Sequence, residues 1–260
     1  WIARSKKPKK SDLLLVEIQN IIDEYPENKN YGVDRIVTAL KQKGIEKSRS
    51  TVYRIMKKAG LLHKRRKPRG ITKASKEEQK EENIIHQDFT SDTFLGKVLT
   101  DITEIPCLDG KLYVSAALDC YSGQIVALQI RNNMKKELCM DTVKQLKYQY
   151  GNLRGIIYHS DRGTQYTSYA FKSLLKSYGM VQSLSSAGKC YDNARMESFF
   201  ATLKKELIYQ NPTYMMKRSE VKKMVTRYIY FYYNTRRVNS FNPGGWPPVT
   251  YRKLAELSVA

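Results

Sequence analysis

Residues 191–207 read YDNARMESFFATLKKEL, and this stretch predicts a helix with an apolar face. Its apolar residues recur at three- and four-residue steps, which is the spacing of one side of a helix. Glu197 and Lys204 are seven residues apart, so they share a second stripe two turns apart. Asp192 and Asn193 precede the helix and are residue types that cap helix N-termini. Taken alone, the stretch also fits a surface helix with ordinary solvated charges.

The chain is strongly basic, and its charge is unevenly distributed. Its 260 residues include 46 Lys plus Arg and 25 Asp plus Glu, a formal charge of +21. Residues 1–82 carry 22 basic and 11 acidic side chains, residues 198–260 carry 11 and 3, and the centre is nearly neutral. Such a distribution makes a polyanion the first partner to consider.

Neither a membrane protein nor a disulfide-bonded one is indicated by the sequence. No apolar run approaches the roughly 20 residues that span a bilayer. The four cysteines form no CxxC pair, and no histidine lies at zinc-ligand spacing from them. We therefore expect a cytoplasmic protein with reduced thiols and no membrane partner.

The first 60 residues predict three helices, of which the second and third have helix-turn-helix spacing. The second covers about 33–43, and the third begins near Ser50 and ends at Gly60. The third helix and the arm after it, with eight basic and no acidic residues over 57–73, are expected to contact DNA phosphates. The candidate contacts are Arg54, Lys57, Lys58, Lys64, Arg65, Arg66, Lys67 and Arg69. The alternative is a small helical domain with a solvated basic tail.

After residue 90 the spacing of the apolar residues changes from that of helices to that of short strands. Strands are predicted at 98–105, 112–118, 124–130, 155–159 and 181–184, and helices at 135–150, 168–178 and from residue 193. Turn signals at Asp109-Gly110 and Ser122-Gly123 separate the first three strands, which we therefore expect to be antiparallel. Three strands followed by alternating helices and strands predict an α/β fold with a mixed five-stranded sheet.

Three acidic residues stand out because of their surroundings. Asp101 lies inside the apolar strand VLTDITEI, where an unpaired carboxylate is costly to bury. Asp161 directly follows the apolar strand GIIYHS, at the sheet edge where α/β proteins bind ligands. Glu197 lies on the helix of residues 191–207, with 35 residues between it and Asp161. Converging carboxylates repel one another unless a divalent cation lies among them, and oxygen ligands suit magnesium or manganese. Two such ions, roughly 4 Å apart, support phosphoryl displacement on nucleic acid.

Other polar residues near these three are expected to have structural roles. Glu104 is an odd number of residues from Asp101 on the same strand, so it points to the opposite face. Asp119 ends the second strand, where capping of a turn is the favoured role. A structural hydrogen bond is favoured for His159, and a helix cap for Asp192.

Three motifs surround the three carboxylates: TDIT at Asp101, HSDRGTQY at Asp161 and CYDNARMESFF at Glu197. In this order and spacing they closely resemble the OrfB-type transposases of bacterial insertion sequences, relatives of retroviral integrases with an RNase H-like core. The resemblance covers about residues 30–253, because YGVDRIVTALKQKG with STVYRIMKKAGL and FYYNTRRVNSFNPGGWPPVTYR also match the family. It implies that Asp101, Asp161 and Glu197 form the catalytic, metal-binding triad, with two Mg²⁺ or Mn²⁺ ions in each site.

The resemblance also implies a substrate and an assembly. The expected protein is a DNA transposase that binds the terminal inverted repeats of an insertion sequence, frees a 3′-hydroxyl and uses it for strand transfer. A homo-oligomer, a dimer or larger, is expected on double-stranded DNA, both element ends and target, associated with the bacterial nucleoid. Lys204 is expected to contact the element end, and Lys205, Arg236 and Arg237 are further candidate DNA contacts. The alternatives are an RNase H-like nuclease without strand transfer and a catalytically inactive DNA-binding regulator.

The predicted domain organisation has four parts. They are a helix-turn-helix-like DNA-binding domain with its basic arm (1–73), a linker (74–90), an RNase H-like catalytic core (91–210) and a basic helical C-terminal segment (211–260). The aromatic run YIYFYY in the last part is interpreted as core or interface, with base stacking as the alternative.

Overall fold

The computed structural model describes residues 10–62, 83–186 and 190–259. The chain divides into two compact units. Unit 1 comprises Trp1–Arg69 and Arg237–Pro247, and unit 2 comprises Gly70–Arg236 and Pro248–Ala260. Within the described ranges we find no helix with the length and apolar character of a membrane span.

In its described residues, unit 1 contains three α-helices packed around one apolar core. They are α1 (Lys10–Asp23), α2 (Val33–Gln42) and α3 (Arg49–Lys58). The hydroxyl of Ser48 caps α3 by accepting a hydrogen bond from the amide of Thr51. Fully buried apolar side chains from all three helices, among them Ile18, Ile36 and Val52, meet in the core. The helices predicted for this part of the sequence are confirmed.

The glycine-rich stretch near residue 245 also belongs to unit 1. Val238 packs into the helical core, and its amide donates a 2.9 Å hydrogen bond to the hydroxyl of Tyr31. Gly245 has φ of +71°, and a Cβ there would collide with the Thr38 side chain. The side-chain amide of Gln42 donates a hydrogen bond from Nε2 to the backbone carbonyl of Gly244 at 2.9 Å. Small residues are therefore required here because the segment lies close against α2 in a left-handed backbone conformation.

Unit 2 is built on a mixed sheet of five strands. They are β1 (Lys97–Cys107), β2 (Gly110–Asp119), β3 (Ile125–Arg131), β4 (Ile157–Ser160) and β5 (Val181–Leu184). The spatial order is β3-β2-β1-β4-β5, with the first three strands antiparallel and β1, β4 and β5 parallel. The mixed five-stranded sheet expected from the sequence is confirmed.

Six α-helices accompany the sheet in the part of unit 2 that the structure describes. They are α4 (Lys136–Tyr150), α5 (Thr164–Thr167), α6 (Tyr169–Ser177), α7 (Ala194–Glu206), α8 (Arg218–Arg227) and α9 (Pro248–Val259). A large cluster of buried residues from the strands, α4 and α6 forms the core, including Val98, Leu146 and Phe171. α8 runs directly into a π-helix, Tyr228–Tyr233.

The π-helix packs against α7 through buried aromatic side chains. The rings of Phe199 and Tyr233 lie edge to face, with centroids 4.9 Å apart. The hydroxyl of Tyr228 donates a 2.8 Å hydrogen bond to the carboxylate of Glu206, which is only 4% exposed. Most of the YIYFYY run is therefore core, as expected, and Phe231 is the exception, with 72% of its surface exposed.

Tyr228→Phe should lower the free energy of unfolding by about 1.5–3 kcal/mol, the range for a hydrogen bond to a charged group. Phenylalanine keeps the ring, so the change isolates the bond to Glu206. Urea denaturation followed by circular dichroism measures the effect. Tyr214→Phe, at a side chain that is 65% exposed, is the control and should leave the midpoint unchanged. Equal midpoints for both variants would contradict the importance of this hydrogen bond.

Candidate active site

Asp101 and Asp161 lie at matching positions of two neighbouring strands. β1 and β4 are parallel and pair Leu99 with His159. Two residues further along each strand are Asp101 and Asp161, the second of which directly follows the end of β4. Neighbouring strands are about 4.8 Å apart, and residues two apart share a face of the sheet. Asp101 and Asp161 are therefore neighbours at this edge of the sheet, Asp101 within β1 and Asp161 in the turn that follows β4.

Asp101 is half-buried and electrostatically linked to the other candidate residues. Its Oδ1 accepts a 2.7 Å hydrogen bond from the amide of Ile102. Burial and then the nearby carboxylate of Asp161 raise the pKa of Asp101 to about 7, and Glu197 adds to the rise. The Ile102 amide and the Lys204 ammonium lower the same pKa. Asp101 thus experiences the charges of Asp161, Glu197 and Lys204 at once.

A tight turn holds Asp161 after β4. Its Oδ1 accepts a 3.0 Å hydrogen bond from the amide of Gly163. A Cβ at Gly163 would lie 3.1 Å from that oxygen, so a larger residue would crowd the carboxylate. Arg162 donates from Nε to the carbonyl of Ser185 at 2.8 Å, which ties the turn to the end of β5. Asp161 is exposed, and its carboxylate is accessible from solvent.

Glu197 lies in the first turn of α7, and two contacts fix that helix on the sheet. The apolar face of α7, with Phe199, Phe200, Leu203 and Leu207, is buried as its spacing predicted. At the start of the helix, Asn193 donates from Nδ2 to the carbonyl of Thr100 at 3.1 Å. Because Thr100 directly precedes Asp101, this bond ties the start of α7 to the strand that carries Asp101. Partial loss of hydration raises the pKa of Glu197, although the side chain is exposed.

Asn193 is the N-cap residue of α7, as expected, but its side chain makes no capping hydrogen bond. Asp192 lies one residue earlier, and its carboxylate binds other segments of the chain. Asp192 is 1% exposed and accepts three hydrogen bonds of 2.8 Å, from Nδ2 of Asn83, Nε2 of Gln87 and the amide of Ser186. A buried carboxylate is stabilised more by these three donors than by the partly exposed helix terminus. Asp192 therefore joins the chain before β1 to the end of β5.

The structural roles predicted for Glu104 and Asp119 are confirmed. Glu104 is exposed and forms a salt bridge with Lys111 at 3.0 Å, across the β1–β2 hairpin. Asp119 is fully buried and accepts hydrogen bonds from the amide of Leu95 and from both the amide and the hydroxyl of Ser122. It holds the turn after β2.

His159 also has the structural role that the sequence favoured. It is fully buried, and its two ring nitrogens lie 2.8 Å and 3.1 Å from the hydroxyls of Ser183 and Ser185. Burial lowers the pKa of His159 to about 4. The neutral imidazole therefore joins β4 to β5 rather than facing solvent.

The three candidate carboxylates suit a divalent cation by chemistry but are not gathered around one point. Among the residues that the structure describes, no group of three or more His, Cys, Asp or Glu is placed to hold a metal ion. The donors themselves are hard oxygens, which Mg²⁺ and Mn²⁺ prefer. The raised pKa of Asp101 reflects unfavourable burial and carboxylate repulsion that a cation would offset.

The predicted DNA contacts fall into four groups. Lys204 is half-buried and Lys205 exposed on α7. Arg54, Lys57 and Lys58 are all exposed on α3. Arg236 is exposed, whereas Arg237 is 6% exposed and thus poorly placed for DNA. The arm residues Lys64, Arg65, Arg66, Lys67 and Arg69 lie outside the described residues, as does 74–82 of the predicted linker.

Comparison with protein families gives three matches along the chain. Profiles described as "Integrase core domain" match residues 95–190 and 197–255, and one described as "HTH-like domain" matches residues 9–69. The helix-turn-helix character predicted for the N-terminal helices is thereby confirmed.

Several curated proteins are similar over most of the chain. The transposase for insertion sequence element IS904 of Lactococcus lactis subsp. lactis (strain IL1403) is 34% identical, covering 91% of this chain and 92% of that protein. The putative transposase InsK for insertion sequence element IS150 of Escherichia coli (strain K12) is 30% identical, covering 96% and 86%. Among solved structures, the catalytic core domain of BIV integrase aligns with a TM-score of 0.47 and 16% identity, covering 63% of this chain and 97% of that chain.

Proposed function

We propose that this chain, which belongs to the family of insertion-sequence transposases with an integrase core domain, cleaves and joins DNA with Asp101, Asp161 and Glu197. The observation that carries the proposal is the electrostatic linkage of these residues. Asp101 and Asp161 extend from neighbouring strands, and the charges of both Asp161 and Glu197 raise the pKa of Asp101. Residues that perturb one another in this way are typical of active sites.

The same three carboxylates would hold the divalent cations, Mg²⁺ or Mn²⁺, with two ions in each site. When bound, such ions activate an oxygen nucleophile and stabilise the leaving oxygen of an in-line phosphoryl displacement. The oxygen donor set supports this assignment, and so does the position of Asp101 and Asp161 on and directly after the neighbouring strands β1 and β4. The separation of the three groups in the structure is consistent with a site that DNA and cations complete.

The protein supplies position rather than a covalent nucleophile. Asp101 is fixed on β1, Asp161 by its turn and Glu197 by α7. The only imidazole beside them in the described residues, His159, is buried between two buried serines and cannot reach DNA. No covalent protein–DNA intermediate is therefore part of the proposal. A water or a 3′-hydroxyl attacks the phosphorus directly.

DNA binding is assigned to both units. In unit 1, α3 exposes Arg54, Lys57 and Lys58, which suits phosphate contacts in a helix-turn-helix domain. In unit 2, the Lys204 ammonium lowers the pKa of Asp101, which supports its assignment to the phosphate of an element end next to the carboxylates. The proposed substrate is double-stranded DNA, both element ends and target, held by a homo-oligomer that brings two ends together.

A strand-transfer assay tests the proposal. The full chain is incubated with labelled DNA of the element's own ends, target plasmid and Mg²⁺, and compared with Asp161→Ala. We expect joined products only with the unsubstituted protein, because the alanine removes one of the two adjacent aspartates. Asp92→Ala, at an exposed aspartate of the same unit, is the control and should retain activity.

Each alternative function predicts a different result in this assay. Cleavage without joined products would favour a nuclease without strand transfer. DNA binding with no product from either protein would favour a DNA-binding regulator. Equal activity of the Asp161→Ala variant would contradict the assignment of the carboxylates.

A further inference from the structure

The outer face of α8 and the following π-helix carries a line of three exposed side chains that the proposed active site does not use. Lys223, Arg227 and Phe231 are all exposed, while Val221 and Val225 of the same helix are buried. Residues four apart in an α-helix lie on one side and rise by about 6 Å. The turn is wider in a π-helix, which keeps Phe231 in line with Arg227. We name Lys223, Arg227 and Phe231 the α8 strip.

The two cations of the α8 strip have no partner within the described residues. Neither Lys223 nor Arg227 forms an ion pair or a hydrogen bond there, unlike Arg218 at the start of the helix, which binds Asp109 at 3.1 Å. Their charges are therefore available to an anion.

Phe231 differs from the other aromatic side chains of its run. Tyr228, Tyr232 and Tyr233 are buried, whereas 72% of Phe231 is exposed. A phenyl ring makes no hydrogen bonds to phosphates or base edges, so the sugar–phosphate exterior of an intact duplex offers it little. The face of an unstacked base offers it a stacking partner. A π-helical turn is rare and is frequently found at functional sites.

We propose that the α8 strip binds a DNA strand that contains an unpaired base, with Lys223 and Arg227 on its phosphates and Phe231 stacked on the base. The inference rests on the proposed function, because cleavage and joining at an element end expose such strands. It adds a further DNA-contact surface, on the helix pair that packs against α7 through Tyr228 and Tyr233. The strip is thus rigidly connected to the helix of Glu197 and Lys204.

The contribution of the ring is tested by binding to two DNA substrates without divalent cations. One is a fluorescent duplex of an element end, and the other has the same sequence with three unpaired bases at its tip. We expect the full chain to prefer the forked DNA, and Phe231→Ala to lose about ten-fold in affinity for the fork alone. Phe231→Trp should keep the preference because it retains an aromatic face, whereas Phe231→Leu should lose it although it remains apolar.

The cations are tested by the salt dependence of binding. Replacement of both Lys223 and Arg227 by glutamine should weaken binding to both substrates and reduce the salt slope by about 1.5, as expected for two lost phosphate contacts. The matched control is the double glutamine variant of Lys172 and Lys176. That exposed pair on α6 has the same four-residue spacing, and its replacement should leave the slope unchanged.

The outcomes separate this inference from the proposed function. If the unsubstituted chain binds neither DNA, the proposed function fails and the α8 strip fails with it. If the chain binds DNA but Phe231→Ala and Phe231→Leu keep the fork preference, only the strip is overturned. A Phe231→Ala variant that changes its oligomeric state in size-exclusion chromatography, with an unchanged fork preference, would instead identify the strip as a protein interface and overturn its assignment to DNA.

Discussion

Glu197→Gln should abolish strand transfer, with a loss of roughly a thousand-fold or more, as is typical when one member of a catalytic unit is removed. The amide is nearly isosteric but neutral, so it removes a negative charge that raises the pKa of Asp101 and weakens any bound cation. The apolar face of α7 is unchanged, and the helix should remain on the sheet. The measurement is strand transfer in Mg²⁺, alongside DNA affinity and the urea midpoint, both of which should be retained.

Two further variants show whether the loss is specific to Glu197. Glu104→Gln changes the same residue type on the opposite face of β1, where it removes only an exposed salt bridge to Lys111, and it should retain full activity. Lys204→Ala, on the same helix, should mainly weaken binding of the element end. Strand transfer by Glu197→Gln at the normal rate would show that Glu197 is not part of the triad.

The sequence predicted those features that depend on local spacing. The alternation of apolar residues identified the strands, because successive side chains of a strand point to opposite faces of the sheet. Asp101 and Asp161 were found because a carboxylate is unusual inside, or directly after, an apolar strand. Their proximity follows from the pairing of β1 with β4. The α/β order of elements indicated such a pairing, and the structure shows it, with Leu99 opposite His159.

Contacts between distant parts of the chain were not predictable in this way. Asp192 has the spacing of a helix cap, yet its partners Asn83 and Gln87 are more than 100 residues away. Val238 lies in a segment assigned by sequence to the C-terminal part, but its amide bonds to Tyr31, 207 residues away. The spacing of residues along the sequence cannot predict such contacts, because they form only when distant segments meet in the final fold.

Asp192 connects three segments at the start of the helix that carries Glu197. Its two carboxylate oxygens accept from Asn83, Gln87 and the amide of Ser186, all at 2.8 Å. Asn83 is buried and Ser186 partly buried, so water would have limited access to these two donors if the carboxylate were removed, whereas Gln87 is exposed. Asp192 therefore stabilises the fold and, through the adjacent Asn193, the position of α7 relative to β1.

Asp192→Ala should lower the free energy of unfolding by about 2 kcal/mol or more, because each of the two shielded donors left unsatisfied, the Asn83 side chain and the Ser186 amide, costs about 1–3 kcal/mol. Asp192→Asn should lower the free energy of unfolding by less, because the remaining side-chain carbonyl oxygen still accepts hydrogen bonds. Some loss is expected, because the new NH₂ group faces a donor instead of accepting from it. Urea denaturation measures both variants, and Asp92→Ala at an exposed site is the control. At temperatures where the variants stay folded, we expect strand transfer to fall while the affinity for duplex DNA is kept. Loss of the Asp192 contacts should displace the start of α7 and thus Glu197, whereas the helix-turn-helix unit should be unaffected. A midpoint equal to that of the control would contradict the role of Asp192, and so would loss of DNA binding together with activity.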